Sequence, residues 1–301
     1  MGSLNALPGA IAQGIIWGIM AIGVYITYKV LDIADLTVDG SICTGAAVCT
    51  MLVISGVNVW LAMLAALAAG MAAGLLTGVF HTFMGIPAIL AGILTQLILW
   101  SVNLKILGKA NQALPARNFY VLVTQLKKTQ TLLVLAAVSI VLIAVLYWFF
   151  GTELGSSIRS TGCNISMSRA QGINTDFNKI LGLMLSNGIV ALAGALLAQY
   201  QGSADINMGR GAIVIGLAAV IIGEAVFSRI SRNFIVRLLG VICGGIIYYI
   251  VYQTVIFFGL DTDLLKMLSA LVVAFFLAVP YWKGKYISSG RRKGDGGNAG
   301  A

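Results

Sequence analysis

Apolar positions run unbroken through this chain for lengths that a water-facing fold does not tolerate. Between Gly40 and Leu104 the only ionisable side chain other than cysteine is His81. The stretches 131–150, 180–204 and 238–260 contain no Asp, Glu, Lys or Arg. A helix that crosses about 30 Å of hydrocarbon needs about 20 mostly apolar residues, each rising 1.5 Å. Nine such segments are predicted, at 9–30, 36–55, 58–80, 86–105, 131–151, 179–201, 211–228, 233–258 and 263–282. The fold class is therefore all-α, a polytopic membrane protein of about nine transmembrane or re-entrant helices. Segment 211–228 is short for a full span and points to broken or re-entrant helices, whose irregular backbone survives at membrane depth only where protein or a watery cavity satisfies it.

Composition agrees. Apolar residues make up 59% of the chain and charged residues 10%, with a mean hydropathy of +0.96. A soluble domain carries about a quarter charged residues, so too few are present here to cover a globule. The formal charge of +9 fits loops that meet anionic lipid, and no soluble basic region exists to hold nucleic acid. The four cysteines, Cys43, Cys49, Cys163 and Cys243, lack metal-ligand spacing, and three lie in apolar segments as packing residues. The N-terminus lacks a basic start and a small-residue cleavage site, so no cleaved leader is expected.

The span domain is placed at 1–282. Residues 283–301 form a basic, Gly-rich tail, expected to be cytoplasmic. Counting back from that tail puts the 152–178 loop inside and the 105–130 loop outside, although the latter holds Lys105, Lys109, Arg117, Lys127 and Lys128. Either that loop is a tolerated external structure or one segment is miscounted. Gly70, Gly74 and Gly78 recur every fourth residue, as do Gly240 and Gly244, a spacing that lets helices approach closely in lipid. A weak internal repeat adds to this. Gly18-Ile-Met-Ala with Asp35 matches Gly188-Ile-Val-Ala with Asp205 at the same separation, and Gly40 and Gly45 match Gly211 and Gly216 after one shift. Repeats over 9–151 and 179–282 would run in opposite senses, an arrangement that puts solute paths near the midplane. The alternative is chance likeness between two Ala/Gly-rich helices.

Two polar stretches break the apolar background. Asp35-Leu-Thr37-Val-Asp39-Gly40-Ser41 joins two uncharged segments. Carboxylates beside a membrane helix usually face a cavity or a partner, and Asp, Thr and Ser also cap helix starts. Both readings remain open. The second stretch runs from Ile158 to Asn174, where Ser166–Gln171 is predicted as a short helix started by Asn164 and stopped at Gly172.

The run Arg159-Ser-Thr-Gly162, then Asn164, then Arg169-Ala170-Gln171-Gly172-Ile-Asn174, resembles the cytoplasmic loop of branched-chain amino acid and ribose type ABC permeases. The Asp-Leu-Thr-Val-Asp-Gly motif is similar to that family's early motif, most of all in the subgroup associated with tryptophan and tyrosine uptake. The resemblance implies a type II ABC importer-like bundle that works as a homodimer with two ABC ATPase subunits and an extracytoplasmic substrate-binding protein. It implies residence in the bacterial inner membrane and an aromatic amino acid as cargo. Coupling to the ATPase would fall to Arg159, Gly162, Asn164, Arg169, Ala170, Gln171, Gly172 and Asn174. The translocation path would involve Asp35, Thr37, Asp39, Gly40, Ser41, Asp205, Gly211 and Glu224. Cys163 departs from the polar residue expected there.

The chain should lack catalytic and metal-binding residues, because ATP and magnesium would belong to the partner ATPase. No Gly-x-x-x-x-Gly-Lys-Ser/Thr occurs. The rival is an ion-coupled secondary transporter using Asp35, Asp39 and Glu224. An intramembrane enzyme finds no His-Glu-x-x-His, Gly-x-Ser-x-Gly or Ser–His pair to support it.

Overall fold

The computed structural model describes residues 2–115, 119–227 and 233–257 and, beyond these, Met267, Leu271, Ala274 and Ala278. The Asp261–Asp263 loop, the tail 283–301 and all but those four residues of segment 263–282 lie outside the described residues.

Helix α1 spans Gly2–Tyr25 and widens into a π-helical turn over Ile26–Val30. An irregular segment leads to α2, Val38–Ile54. Helices α3 (Val59–Thr82) and α4 (Ala88–Leu107) follow, then α5 (Lys128–Gly151). The 152–178 region, expected as a loop with one short helix, folds into two helices, α6 (Glu153–Cys163) and α7 (Ile165–Ala170). Helix α8 (Thr175–Gln201), α9 (Ala212–Phe227) and α10 (Phe234–Phe257) complete the bundle. Among the described residues six helices are long and apolar enough to cross a membrane, while α2 and α9 are shorter apolar helices.

Small residues set the packing. Helix α8 is the central post, with α3 and α2 seated on it. A Cβ at Gly70 would strike the Asn187 carbonyl, one at Gly74 the Leu183 carbonyl, and one at Gly78 would press on Ile180. The predicted four-residue glycine spacing is thus a backbone-to-backbone seam, which in lipid replaces the hydrophobic drive that water supplies elsewhere. Gly244 does the same between α10 and the Ala219 carbonyl of α9. Helices α1 and α8 are buried along most of their lengths. Helices α4 and α5 expose large apolar side chains such as Leu97, Ile140 and Trp148, the surface that lipid covers.

Residue pairs give the helix directions. Tyr200 reaches the Gly9 carbonyl while Ser186 reaches that of Gly23, so α1 and α8 are antiparallel. Ser41 bonds Asn187 and Cys49 meets Gln199, so α2 runs with α8. Gly216 faces Met20 and Val24 while Glu224 meets Lys29, so α9 runs with α1. Helices α2 and α9 therefore run in opposite senses.

Two short strands, β1 (Asn111–Ala113) and β2 (Ser203–Asp205), pair antiparallel, Asn111 opposite Asp205. That pairing fixes the 108–127 and 202–211 connections at one end of the bundle, opposite α6 and α7. The expectation placed the 105–130 and 152–178 regions on opposite sides, and among the described residues β1 and the α6–α7 pair do lie at opposite ends of the bundle.

Candidate translocation and coupling sites

Helix α2 does not start at an end of the bundle. Ser41, in its first turn, donates to Asn187 Oδ1 at 2.6 Å, near the middle of α8. The segment 31–36 reaches that depth as irregular chain after the Ile26–Val30 turn, with Asp32 at φ +56° and the Ile33 N–H donating to the Thr27 carbonyl at 2.9 Å. At 17 residues, α2 is about 25 Å long, enough to reach only from the interior to one end.

Asp35 fixes the residue that leads into α2. Its Oδ1 accepts from the Thr37 N–H at 2.9 Å and its Oδ2 from Asn187 Nδ2 at 2.7 Å. Thr37 Oγ1 shares a hydrogen bond with Thr77 Oγ1 at 2.7 Å, and Thr77 donates on to Thr95 at 2.9 Å. Asp35, Thr37, Gly40 and Ser41 are all buried. This ladder joins α2 to α3, α4 and α8, and satisfies polar groups that would otherwise be costly in hydrocarbon.

Helix α9 starts beside it. Asp39 Oδ2 accepts from the Gly211 N–H at 3.0 Å and Oδ1 from the Ile213 N–H at 3.0 Å. A carboxylate of one broken helix thus caps the other, whose free N–H groups and positive dipole end favour it. The two short helices meet start to start inside the bundle and leave toward opposite ends. Gly209 packs against the Asp39 carbonyl with no room for a side chain, and its N–H donates to Cys43 Sγ at 3.3 Å.

The eight path residues expected from sequence therefore separate. Asp39 is half-buried and Gly211 exposed, beside Val214, which is 41% exposed. Asp205 lies in β2 and accepts from the Asn207 N–H at 2.6 Å, the same local turn that Asp35 makes with Thr37. Glu224 stands roughly 18 Å along α9 from Ala212, paired with Lys29 at 3.2 Å. The structure does not bring Glu224 to the aspartates. Of the backbone N–H groups at this helix start, Asp35 takes that of Thr37.

At the α6–α7 end the polar residues brace one another. Asn164 accepts from the Met167 N–H at 3.0 Å and caps α7; Asn174 accepts from Phe177 N–H at 3.1 Å and caps α8. Gly172, at φ +78°, takes the left-handed turn between them. Arg169 Nε donates to Thr175 Oγ1 at 2.9 Å, and its terminal nitrogen lies 3.4 Å from Asp176. Asn178, buried, donates to Thr161 at 2.9 Å and ties α6 to α8. Gly162 sits directly on the Val30 carbonyl. Arg159 turns away from this group and lies 4.3 Å from the Phe234 ring.

What the platform presents outward is partly apolar: Ile165 is 41% exposed and Met167 59%, alongside exposed Ala170, Gln171 and Gly172. Sequence reasoning missed Ile165 and Met167. The available signal was two apolar side chains inside a polar stretch. Among the described residues no group of His, Cys, Asp and Glu could hold a metal ion.

Comparison with known proteins agrees with this architecture. The model of the branched-chain amino acid transport system permease component family matches residues 7–277. A tyrosine transport system permease protein of Clostridioides difficile is 40% identical over 276 residues, 91% of either chain. An uncharacterized protein of Rickettsia prowazekii is 31% identical over 91% of this chain and 98% of its own. An autoinducer 2 import system permease protein of Escherichia coli is 29% identical over 58% of this chain and half of its own. No solved structure matches. With family match, helical bundle and apolar spans in agreement, this multi-pass membrane protein belongs to the family of branched-chain amino acid transport system permease components.

Proposed function

We propose that the chain is the membrane-spanning permease of a bacterial inner-membrane ABC importer that carries an aromatic amino acid. The α6–α7 platform carries this reading. It is an exposed, internally capped helix pair at one end of the bundle, offering Ile165 and Met167 to a partner. A separate ATPase needs such a rigid element if its closure is to be transmitted to the spans. ATP and magnesium chemistry then belongs to that partner, and the permease itself is not an enzyme.

The route runs along the face where the two broken helices meet, past Asp39, Gly211 and Val214, and a second copy completes its far wall. Asp35, Thr37, Gly40 and Ser41 support the route from behind. Discontinuous helices that start at the midplane are the usual wall of such paths. An extracytoplasmic binding protein delivers the solute at the β1–β2 end. The aromatic cargo rests on likeness to the tyrosine permease.

An ion-coupled transporter would need its carboxylates grouped within reach of one another. Here Glu224 is held by Lys29 and Asp39 by backbone N–H groups, which favours the importer.

Ile165→Asp with Met167→Asp is the direct test. Two apolar anchors at an interface centre are worth about 2 kcal/mol or more, so retention of the ATPase should fall by about thirtyfold. The measurement is ATPase co-purified per permease, with detergent elution and melting temperature as the folding control. Undiminished co-purification would remove α7 from the ATPase interface.

A further inference from the structure

At the α6–α7 end a cleft of about 780 Å³ opens between the end of α5, the second half of α6, the Ile26–Val30 turn and the start of α10. Its walls divide by chemistry. Val30, Trp148, Phe150 and Phe234 supply apolar surface, and Lys29, Arg159 and Arg237 supply three cations. Lys29 is matched by Glu224 at 3.2 Å. For Arg159 and Arg237 no carboxylate stands within ion-pair distance among the described residues.

Arg159 is held in place without being satisfied. Its guanidinium carbon lies 4.3 Å from the Phe234 ring centre and 5.2 Å from that of Phe150. Ring faces attract a cation but accept no directed hydrogen bond of normal strength. Its Nε is buried with no hydrogen-bond partner among the described residues. Arg237 is exposed and lines the cleft beside Tyr25, which leaves its guanidinium open to a ligand.

The location narrows what such a cleft would take. Tyr147 and Trp148 stand 48% and 72% exposed on α5, at the level where amphipathic rings mark the membrane–water boundary. A ligand entering here meets lipid-facing helix on one side and two guanidinium groups, neither in an ion pair among the described residues, on the other. A soluble anion has no use for the apolar walls, and a neutral lipid has no use for the cations.

We propose that this cleft holds the phosphate-bearing head group of an anionic phospholipid from the leaflet at the α6–α7 end. Arg159 and Arg237 would grip the phosphate, and Phe150, Trp148 and Phe234 would flank the first part of its chains. Arginine forks match phosphate oxygens in pairs, and basic pockets between spans are suited to lipid head groups. The lipid would wedge α6 against α10 beside the coupling platform.

The test is native mass spectrometry of the assembled transporter, purified in detergent and given phosphatidylglycerol or phosphatidylethanolamine at equal concentration. The wild type should retain phosphatidylglycerol preferentially. Arg159→Gln with Arg237→Gln should reduce that retention by about tenfold or more, since a hydrogen bond to a charged group is worth about 1.5–3 kcal/mol. Lys105→Gln, which removes one exposed charge elsewhere, should change nothing. If the double variant loses its melting transition, Arg237→Gln alone carries the test, with a severalfold loss expected. Equal retention of the two lipids, or retention unchanged in the variants, overturns the proposal. Displacement of the lipid by millimolar inorganic phosphate would also overturn it, showing a site for free phosphate instead.

Discussion

Replacing Gly162 with leucine is expected to abolish substrate uptake while leaving the chain inserted and its ATPase partner bound. Gly162 is the point where α6 touches the Ile26–Val30 turn, and any Cβ there collides with the Val30 carbonyl. The turn continues into 31–36, whose Asp35 holds the start of α2. Motion of the α6–α7 platform therefore has a short, stiff way into the broken helices. Leu31, next along, packs on Gly182 of α8, so the segment cannot yield sideways. A leucine must push α6 off the turn, an overpacking cost of about 1–3 kcal/mol that falls on the joint rather than on α7. Uptake should drop by at least about tenfold, with alanine intermediate. ATP hydrolysis should persist but lose its stimulation by substrate. Measurement of uptake and hydrolysis on one preparation decides it, and full uptake by Gly162→Leu would show that the joint transmits nothing.

Asp39→Leu should cost both stability and transport, and Asp39→Asn should separate the two. Leucine removes the cap from the Gly211 and Ile213 N–H groups, a loss of about 0.5–2 kcal/mol for a helix start. It also removes the negative charge that α9's dipole favours. Asparagine keeps one acceptor and much of the capping. Melting temperature should therefore fall strongly for leucine and slightly for asparagine. If the Asp39 charge shapes the route as well as the cap, uptake falls severely in both variants. Normal uptake by Asp39→Asn would reduce Asp39 to helix-terminus architecture.

Much of this organisation is legible in the sequence, because lipid imposes strict rules on length and charge. Uncharged runs located eight of the nine predicted segments among the described residues, and the shortness of 211–228 pointed to a broken helix. The glycine spacing at 70, 74 and 78 gave a real seam, since only a missing side chain lets α3 reach the α8 backbone. Asn164 and Gly172 marked the ends of α7 through ordinary capping chemistry.

What stayed hidden depends on contacts far apart in the chain. Asp35 and Asp39 look alike in sequence, yet one is buried against Asn187 and the other caps a helix more than 170 positions later. Local pattern cannot tell which carboxylate meets which helix end. Nothing in the local sequence around Glu224 shows that Lys29, nearly 200 positions earlier, lies beside it. Helix α6 was missed because its 11 residues are polar enough to read as loop. Its amphipathic face is buried through Ile158 and Thr161. Arg159, grouped by motif with the coupling residues, turns instead toward Phe234 because helix α6 carries it to the opposite face.

In the proposed function, ATP hydrolysis by a partner drives solute through this chain by way of the α6–α7 platform. Uptake of labelled tyrosine into proteoliposomes holding the complete transporter and its binding protein tests it most directly, with ATP supplied on the ATPase side and ion gradients collapsed. Uptake should require ATP and be lost in Ile165→Asp with Met167→Asp. Uptake that proceeds without ATP and follows an imposed ion gradient would contradict it.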